Sequence, residues 1–182
     1  MGHTHIKHHP QVIVLLCIAV VLTIAISGCG SIPPYSGGDV TVIGGIPGPE
    51  DIVIDASRPV ARRLLISSAD RRGRGISGEI YMVDLETGAV APMKRTGGPE
   101  GKDFQPHGLS IVTKNTGETL LYVINHETEK SSGNILHSIC VFSVLRDRLQ
   151  LVENYKNSLL ASPNDLCALP DGTVYVSNDR SA

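Results

Sequence analysis

The chain has 182 residues, 19% of them charged, a formal net charge of −2 and no tryptophan. That balance excludes a disordered polyampholyte, and it offers neither the basic surface nor the aromatic platforms of a nucleic-acid binder. With only two Phe, the core must come from Val, Ile and Leu, which cluster in short β-type runs.

Residues 1–28 read as an export signal of lipoprotein type. Residues 1–10 carry Lys7 and four His, residues 12–26 are apolar except for Thr23, and Ser27-Gly28-Cys29 closes the segment, the order of n-region, h-region and small-residue cleavage site. As a helix the apolar run rises only about 22 Å, short of a hydrocarbon core about 30 Å thick, which favours a signal over a permanent span. Ile26-Ser27-Gly28-Cys29 also resembles the bacterial lipobox. Cys29 would then be the lipidated first residue of a cell-envelope protein, with residues 29–39 as a Pro-, Gly- and Ser-bearing tether; an ordinary signal peptide or a retained anchor is the alternative. Cys17 departs with the signal. Cys140 and Cys167 lie in the apolar runs 138–144 and 165–169, which predicts two buried thiols rather than a disulfide.

From residue 40 onward no stretch has the i, i+3, i+4, i+7 spacing of an amphipathic helix, so residues 40–182 are expected to be all-β. Strands are expected at 40–43, 52–54, 64–67 and 79–85, the last returning through Glu86-Thr87-Gly88 into 89–93. A second group covers 109–113, 119–125, 138–145 and 149–154, with turns at Asn115-Thr116-Gly117 and Arg146-Asp147-Arg148. A third runs through 165–169 and 174–179 around Pro170-Asp171-Gly172. The loop 70–78, with Arg71, Arg72 and Arg74 among glycines, matches no phosphate-binding pattern and reads as a solvated loop.

These groups repeat. Pro49-Glu50-Asp51, Pro106-His107-Gly108 and Pro163-Asn164-Asp165 stand at equal intervals of 57 residues, and each is followed by an apolar run, a turn and a second β-rich run. Four short strands per repeat of roughly 50 residues is the signature of a β-propeller blade. The expected fold is therefore an incomplete β-propeller of about two and a half to three blades, because a closed ring needs at least about four.

The innermost strands of a propeller line one axis, so Glu50, Asp51, His107, Asn164 and Asp165 are expected to converge. Carboxylate and amide oxygens of this kind suit a hard cation such as Ca²⁺; turn hydrogen bonds are the alternative reading. His107 and His126 stand at equivalent strand ends. A histidine there can serve as general base while a second orients it or relays its proton, or the two are simply hydrogen-bonded strand-end residues. His137 is given no role.

Five segments, Gly48-Pro49-Glu50-Asp51, Gly78-Glu79-Ile80-Tyr81-Met82-Val83-Asp84-Leu85, Phe104-Gln105-Pro106-His107-Gly108-Leu109-Ser110, Tyr122-Val123-Ile124-Asn125-His126 and Pro163-Asn164-Asp165, resemble the paraoxonase and arylesterase family in the same order, across roughly residues 45–180. The resemblance covers the N-terminal half of a family member. It implies a six-bladed propeller with one structural and one catalytic Ca²⁺, hydrolysing lactones and often aryl esters or organophosphate triesters. By resemblance Glu50 and Asn164 match ligands of the catalytic ion, Asp51, Asp165 and the backbone carbonyl of Leu109 match ligands of the structural ion, and His107 and His126 match a histidine dyad. The family's remaining catalytic-ion ligands, an Asn and an Asp-Asn pair, and its long-range disulfide have no counterpart in these residues, and Arg180 stands where the family usually has a His. The expectation is a calcium-dependent ester hydrolase that is inactive as these residues alone, with a small lactone or ester as substrate, the membrane as anchor and self-association through exposed sheet edges. A non-catalytic, envelope-anchored propeller is the alternative.

Overall fold

The apolar runs become strands and the polar punctuation becomes the turns between them. The computed structural model describes residues 37–58, 62–69, 77–128 and 135–180; the expected signal, Cys29, most of the tether and the Arg71, Arg72 and Arg74 loop lie outside the described residues. Val42–Ala182 form one compact unit, and Met1–Thr41 are a separate one, of which residues 37–41 are described and exposed. Among the described residues no helix is long and apolar enough to cross a membrane.

The first sheet is a four-stranded antiparallel meander of β1 (Pro49–Asp55), β2 (Arg63–Ser68), β3 (Glu79–Asp84) and β4 (Val90–Pro92), hydrogen-bonded in chain order. A short strand, β5 (Lys94–Thr96), and a 3-10 turn at Gly101–Asp103 lead into the second meander, β6 (Pro106–Thr113), β7 (Thr119–Thr128), β8 (Ile135–Val144) and β9 (Arg148–Tyr155). The third sheet is described through β10 (Pro163–Ala168) and β11 (Val174–Asn178). Strands β1, β6 and β10 lie side by side as the first strands of successive blades, which is the arrangement of a β-propeller. The expected turns all fall between paired strands. In the Asn115-Thr116-Gly117 hairpin, Gly117 adopts a φ of 84°, a conformation that costs glycine little and other residues more.

Two expectations fail. Residues 40–43 form no strand, and Val40 and Val42 stand 73% and 87% exposed; an isolated apolar run without a partner strand has nowhere to place its backbone hydrogen bonds. Cys167 is exposed, although Cys140 is buried as expected, and both thiols are free. Strand β5 went unforeseen because it is short and polar and pairs in parallel with β9, far along the chain.

The second blade is buried on both faces. On β7, Leu121 and Val123 join Leu65, Ile80, Phe104, Phe142 and Leu149 in one cluster, whereas Leu120, Tyr122 and Ile124 face Val112, Val141, Leu166 and Ala168 in another. This double burial explains why β7 is a continuous apolar run rather than an alternating one. Phe104 and Phe142 are fully buried, with ring centroids 6.3 Å apart in an edge-to-face pair, and each such side chain stabilises the fold by roughly 1.5–3 kcal/mol.

A buried arginine, ion-paired within the first blade, joins it to the second. Arg63 on β2 is 4% exposed and Asp55 on β1 is fully buried; Arg63 Nε donates to Asp55 Oδ2 at 2.8 Å. The guanidinium also donates through Nη1 to the carbonyl of Arg146 at 2.6 Å and through Nη2 to that of Leu145 at 2.9 Å, at the β8–β9 turn. Burial pushes the Asp55 carboxyl up, but hydrogen bonds from Ser57 and Arg63 outweigh it and hold the group below the usual carboxylate range. Because this pKa is depressed in the folded protein, the stabilisation is present above the unfolded-state pKa and is lost as pH falls through the folded one. Asp55→Ala leaves an uncompensated buried guanidinium and should cost about 3–5 kcal/mol. Urea unfolding at neutral pH checks this, and a loss under about 1 kcal/mol would show that the pair behaves as a solvated surface bridge.

Candidate active site

Each repeated triplet opens its strand with a break in register. The shift lies between Pro49 and Asp51 in β1, between Pro106 and Leu109 in β6 and between Pro163 and Asp165 in β10. A bulge re-aims the side chains next to it, and here it repeats with the sequence. The surrounding hydrogen bonds repeat as well. Asp51 N–H donates to Ser67 Oγ at 3.0 Å and Asp165 N–H to Ser177 Oγ at 3.1 Å, while each carboxylate accepts the next backbone N–H, that of Ile52 or Leu166, at 2.7 Å.

The second blade has glycine where the others have aspartate. A Cβ on Gly108 would lie 2.7 Å from the Asn164 carbonyl oxygen, 2.8 Å from Asp165 Cα and 3.1 Å from Asp165 Oδ1. From the other side, Asp51 Oδ2 accepts the Leu109 N–H at 2.6 Å, and Ser67 Oγ donates to the His107 carbonyl at 2.6 Å. Asp51 and Asp165 therefore approach one peptide, Gly108-Leu109, from the blade before and the blade after. Neither carboxylate has a Lys or Arg partner among the described residues. Among those residues, no three His, Cys, Asp or Glu side chains form a ready metal cluster; the oxygens gathered around Gly108, those of the Asp51 and Asp165 carboxylates and of the Asn164 backbone carbonyl, are of the kind a hard cation takes rather than zinc.

Glu50 and the histidines lie on the same strand ends. His107 Nδ1 is 3.3 Å from Glu50 Oε2, with the two side chains 12% and 21% exposed. A neutral His107 that turns its Nδ1–H toward this carboxylate carries its lone pair at Nε2. The ring of His126 stands 5.4 Å from that of His107, centroid to centroid, at 63°. Asn125, fully buried beside His126, accepts the Gln105 N–H at 2.7 Å and donates to the Asp103 carbonyl at 3.0 Å, and the backbone N–H of His126 donates to the Gln105 carbonyl at 3.0 Å. These bonds fix the loop that delivers His107.

The structure thus brings Glu50, Asp51, His107, Leu109, His126 and Asp165 to neighbouring strand ends. Asn164 reaches the same place through its backbone, but its side-chain amide donates to Asp179 Oδ2 at 3.2 Å. The sequence reading missed His137, whose Nδ1 lies 2.7 Å from His126 Nδ1, as well as the bracing roles of Ser67, Ser177 and Asn125. The two serines stand opposite the aspartates in register but 16 and 12 residues further along the chain, so the equal spacing of the triplets did not point to them.

Carboxylates and His107 thus stand at the starts of the first strands of successive blades, with His126 near the end of the neighbouring β7. The chain belongs to the arylesterase family, whose family model matches residues 73–181. It is 30% identical over 105 residues to human serum paraoxonase/lactonase 3, and 28% identical over 107 residues to chicken serum paraoxonase/arylesterase 2. Each match covers 57% of this chain and 28% of the relative, so the chain matches just over a quarter of the length of these curated relatives. A solved structure from Thermus thermophilus, described as a putative oxidoreductase (glucose dehydrogenase), superimposes with a TM-score of 0.50 at 16% identity, covering 75% of this chain and 38% of that one. That likeness speaks for the fold alone. Glu50 and Asp51 precede the span matched by the family model, so their place in the site rests on the repeat and on the contacts above.

Gly108→Ala should force the second and third blades apart at this point and cost about 1–3 kcal/mol, the usual range for overpacking. Thermal or urea unfolding checks it; an unchanged stability would mean that β10 does not press on Gly108 in solution.

Proposed function

We propose that this chain carries the N-terminal blades of a calcium-dependent ester hydrolase, six-bladed when whole, that acts on lactones or aryl esters. The observation that carries the reading is the meeting of Glu50, His107 and His126 on adjacent inner strands in a chain of the arylesterase family. Names of the relatives, paraoxonase/lactonase and paraoxonase/arylesterase, support the same substrate class.

Glu50 and Asn164 would hold one ion, and Asp51, Asp165 and the Leu109 carbonyl another. Bound calcium supplies a Lewis acid that polarises the ester carbonyl and stabilises the developing oxyanion. The chain's own residues handle the proton. His107, with Nδ1 turned to Glu50, takes a proton from water at Nε2 as the oxygen adds to the carbonyl carbon. His126, whose ring lies 5.4 Å from that of His107, orients it or relays its proton. When the acyl carbon–oxygen bond breaks, the proton passes to the leaving alkoxide, so a lactone becomes a hydroxy acid.

Two side-chain oxygens, from Glu50 and Asn164, fall well short of the six to eight that Ca²⁺ takes. Residues 1–182 alone are therefore proposed to bind calcium through the Asp51 and Asp165 set and not to turn over substrate. In millimolar Ca²⁺ the melting temperature should rise, and Asp165→Ala should lose more of that rise than Asn164→Ala. A panel of γ- and δ-lactones with phenyl acetate should show no turnover; robust turnover abolished by His107→Gln would refute the inactivity. Lactone added to the calcium-loaded chain should shift the ring resonances of His107 and His126, and the absence of any shift would favour the non-catalytic reading.

Export and lipid anchoring at Cys29 are part of the same proposal. They are supported by the order of charged, apolar and small residues in 1–29. Metabolic labelling with palmitate should tag the protein, and Cys29→Ala should remove the label; equal labelling of the variant would end this assignment.

A further inference from the structure

His126 and His137 face each other directly across β7 and β8, as paired residues in the register. Their Nδ1 atoms are 2.7 Å apart, and their rings stand perpendicular at 89°, with centroids 4.8 Å apart. The adjacent pair in the ladder, Asn125 and Ser138, is buried, at 0% and 1% exposure, which holds this end of the hairpin in place.

Two imidazole nitrogens at that distance share one hydrogen. Two protonated nitrogens would set hydrogens face to face, and two bare ones would oppose their lone pairs. Which ring donates follows from the far side of His137. Its imidazole is hydrogen-bonded to the backbone of Ala161, a bond that favours the protonated ring and therefore runs to the carbonyl. With Nδ1 already turned to His126, the nitrogen making that bond is Nε2. Neutral His137 thus keeps its proton at Nε2 and accepts at Nδ1, so the hydrogen between the rings belongs to His126.

We propose that His137 is a positioning residue, which holds His126 as the Nδ1–H tautomer with its lone pair at Nε2. The consequence for the site rests on the hydrolase reading above: His126 is kept ready to accept a proton at Nε2. On doing so it already has its Nδ1–H on a neutral acceptor, and the hydrogen bond becomes charge-assisted without rearrangement. Burial, which holds His137 below the ordinary histidine range despite the Ala161 bond, agrees with its remaining the neutral member. A carbonyl or carboxylate orients a histidine in many sites; here a second histidine takes that part.

The test is long-range ¹H–¹⁵N NMR of the imidazole rings in the purified full chain at pH 8, above the ordinary histidine pKa of about 6.5, with the His126 signals identified by their loss in His126→Gln. The wild-type protein should show His126 with its proton at Nδ1, the minor form of a solvated histidine. His137→Phe keeps a ring but removes the acceptor, and should return His126 largely to the Nε2–H form. His137→Gln, whose amide oxygen can accept the same hydrogen, should restore the Nδ1–H form. An Nε2–H tautomer for His126 in the wild type overturns the proposal without any variant, even if His137→Phe does not fold. A folded His137→Phe with an unchanged Nδ1–H signal overturns it too. The readout needs neither calcium nor turnover, so a failure of the hydrolase reading leaves it standing, and a wrong tautomer leaves the hydrolase reading untouched.

Discussion

The 2.6 Å hydrogen bond from Leu109 N–H to Asp51 Oδ2 crosses from the second blade to the first, and the residue just before it has no room for a side chain because the third blade presses there. The Gly108-Leu109 peptide is thus the place where strands of three sheets meet. A charge-assisted bond at this length is roughly twice as strong as a neutral one. Its larger importance is geometric: His107 is the next residue along, and its carbonyl is bonded to Ser67 of the first blade. The backbone that carries His107 is thus tied to two strands of the first blade at once.

Behind this contact the blades are held by different means on their two sides. Toward the first blade there is a large apolar cluster built around Phe104 and Phe142, closed at its outer end by the Arg63 fork on Leu145 and Arg146. Toward the third blade the cluster is smaller and made of Ile, Leu, Val and Ala with Tyr122, supplemented by the bond from Ala168 N–H to Ser110 Oγ at 3.0 Å. Apolar packing sets how close the blades come but not their register. Arg63 supplies register, since five fixed donors can meet three acceptors in only one alignment. Removing the fork should therefore loosen the relation between blades more than it weakens either sheet.

How much of this could be read from the sequence depends on the range of the interaction. The strands and turns of the second blade are local features, and runs such as Leu120 to Ile124 with the Asn115-Thr116-Gly117 turn declare them. The equal spacing of the three proline triplets carried the repeat, and with it the convergence of Glu50, Asp51, His107 and Asp165. The bulges were not legible, because a bulge is a property of pairing and appears only when the partner strand is known. The pairing of His126 with His137 was hidden for the same reason: the register of β7 and β8 decides which residue stands opposite, and neither histidine signals it alone. Residues 40–43 show the opposite failure, a β-type run that finds no partner.

A site assembled from the first residues of several blades depends on packing far from the chemistry. Glu50 and His107 belong to different blades and meet at 3.3 Å, so a change of even a few tenths of an ångström in blade spacing is felt directly between them. The spacing is set by side chains such as Leu65, Ile80, Phe104 and Phe142, none of which touches the histidines in any contact described above. Close-packed interiors transmit such changes instead of absorbing them. His126 and His137 differ in this respect, since both lie within the second blade and their 2.7 Å contact is fixed by one hairpin. The His126–His137 contact is thus local to a single sheet, while Glu50, His107 and the two aspartates are held between blades, and only they require the blades to be in place together.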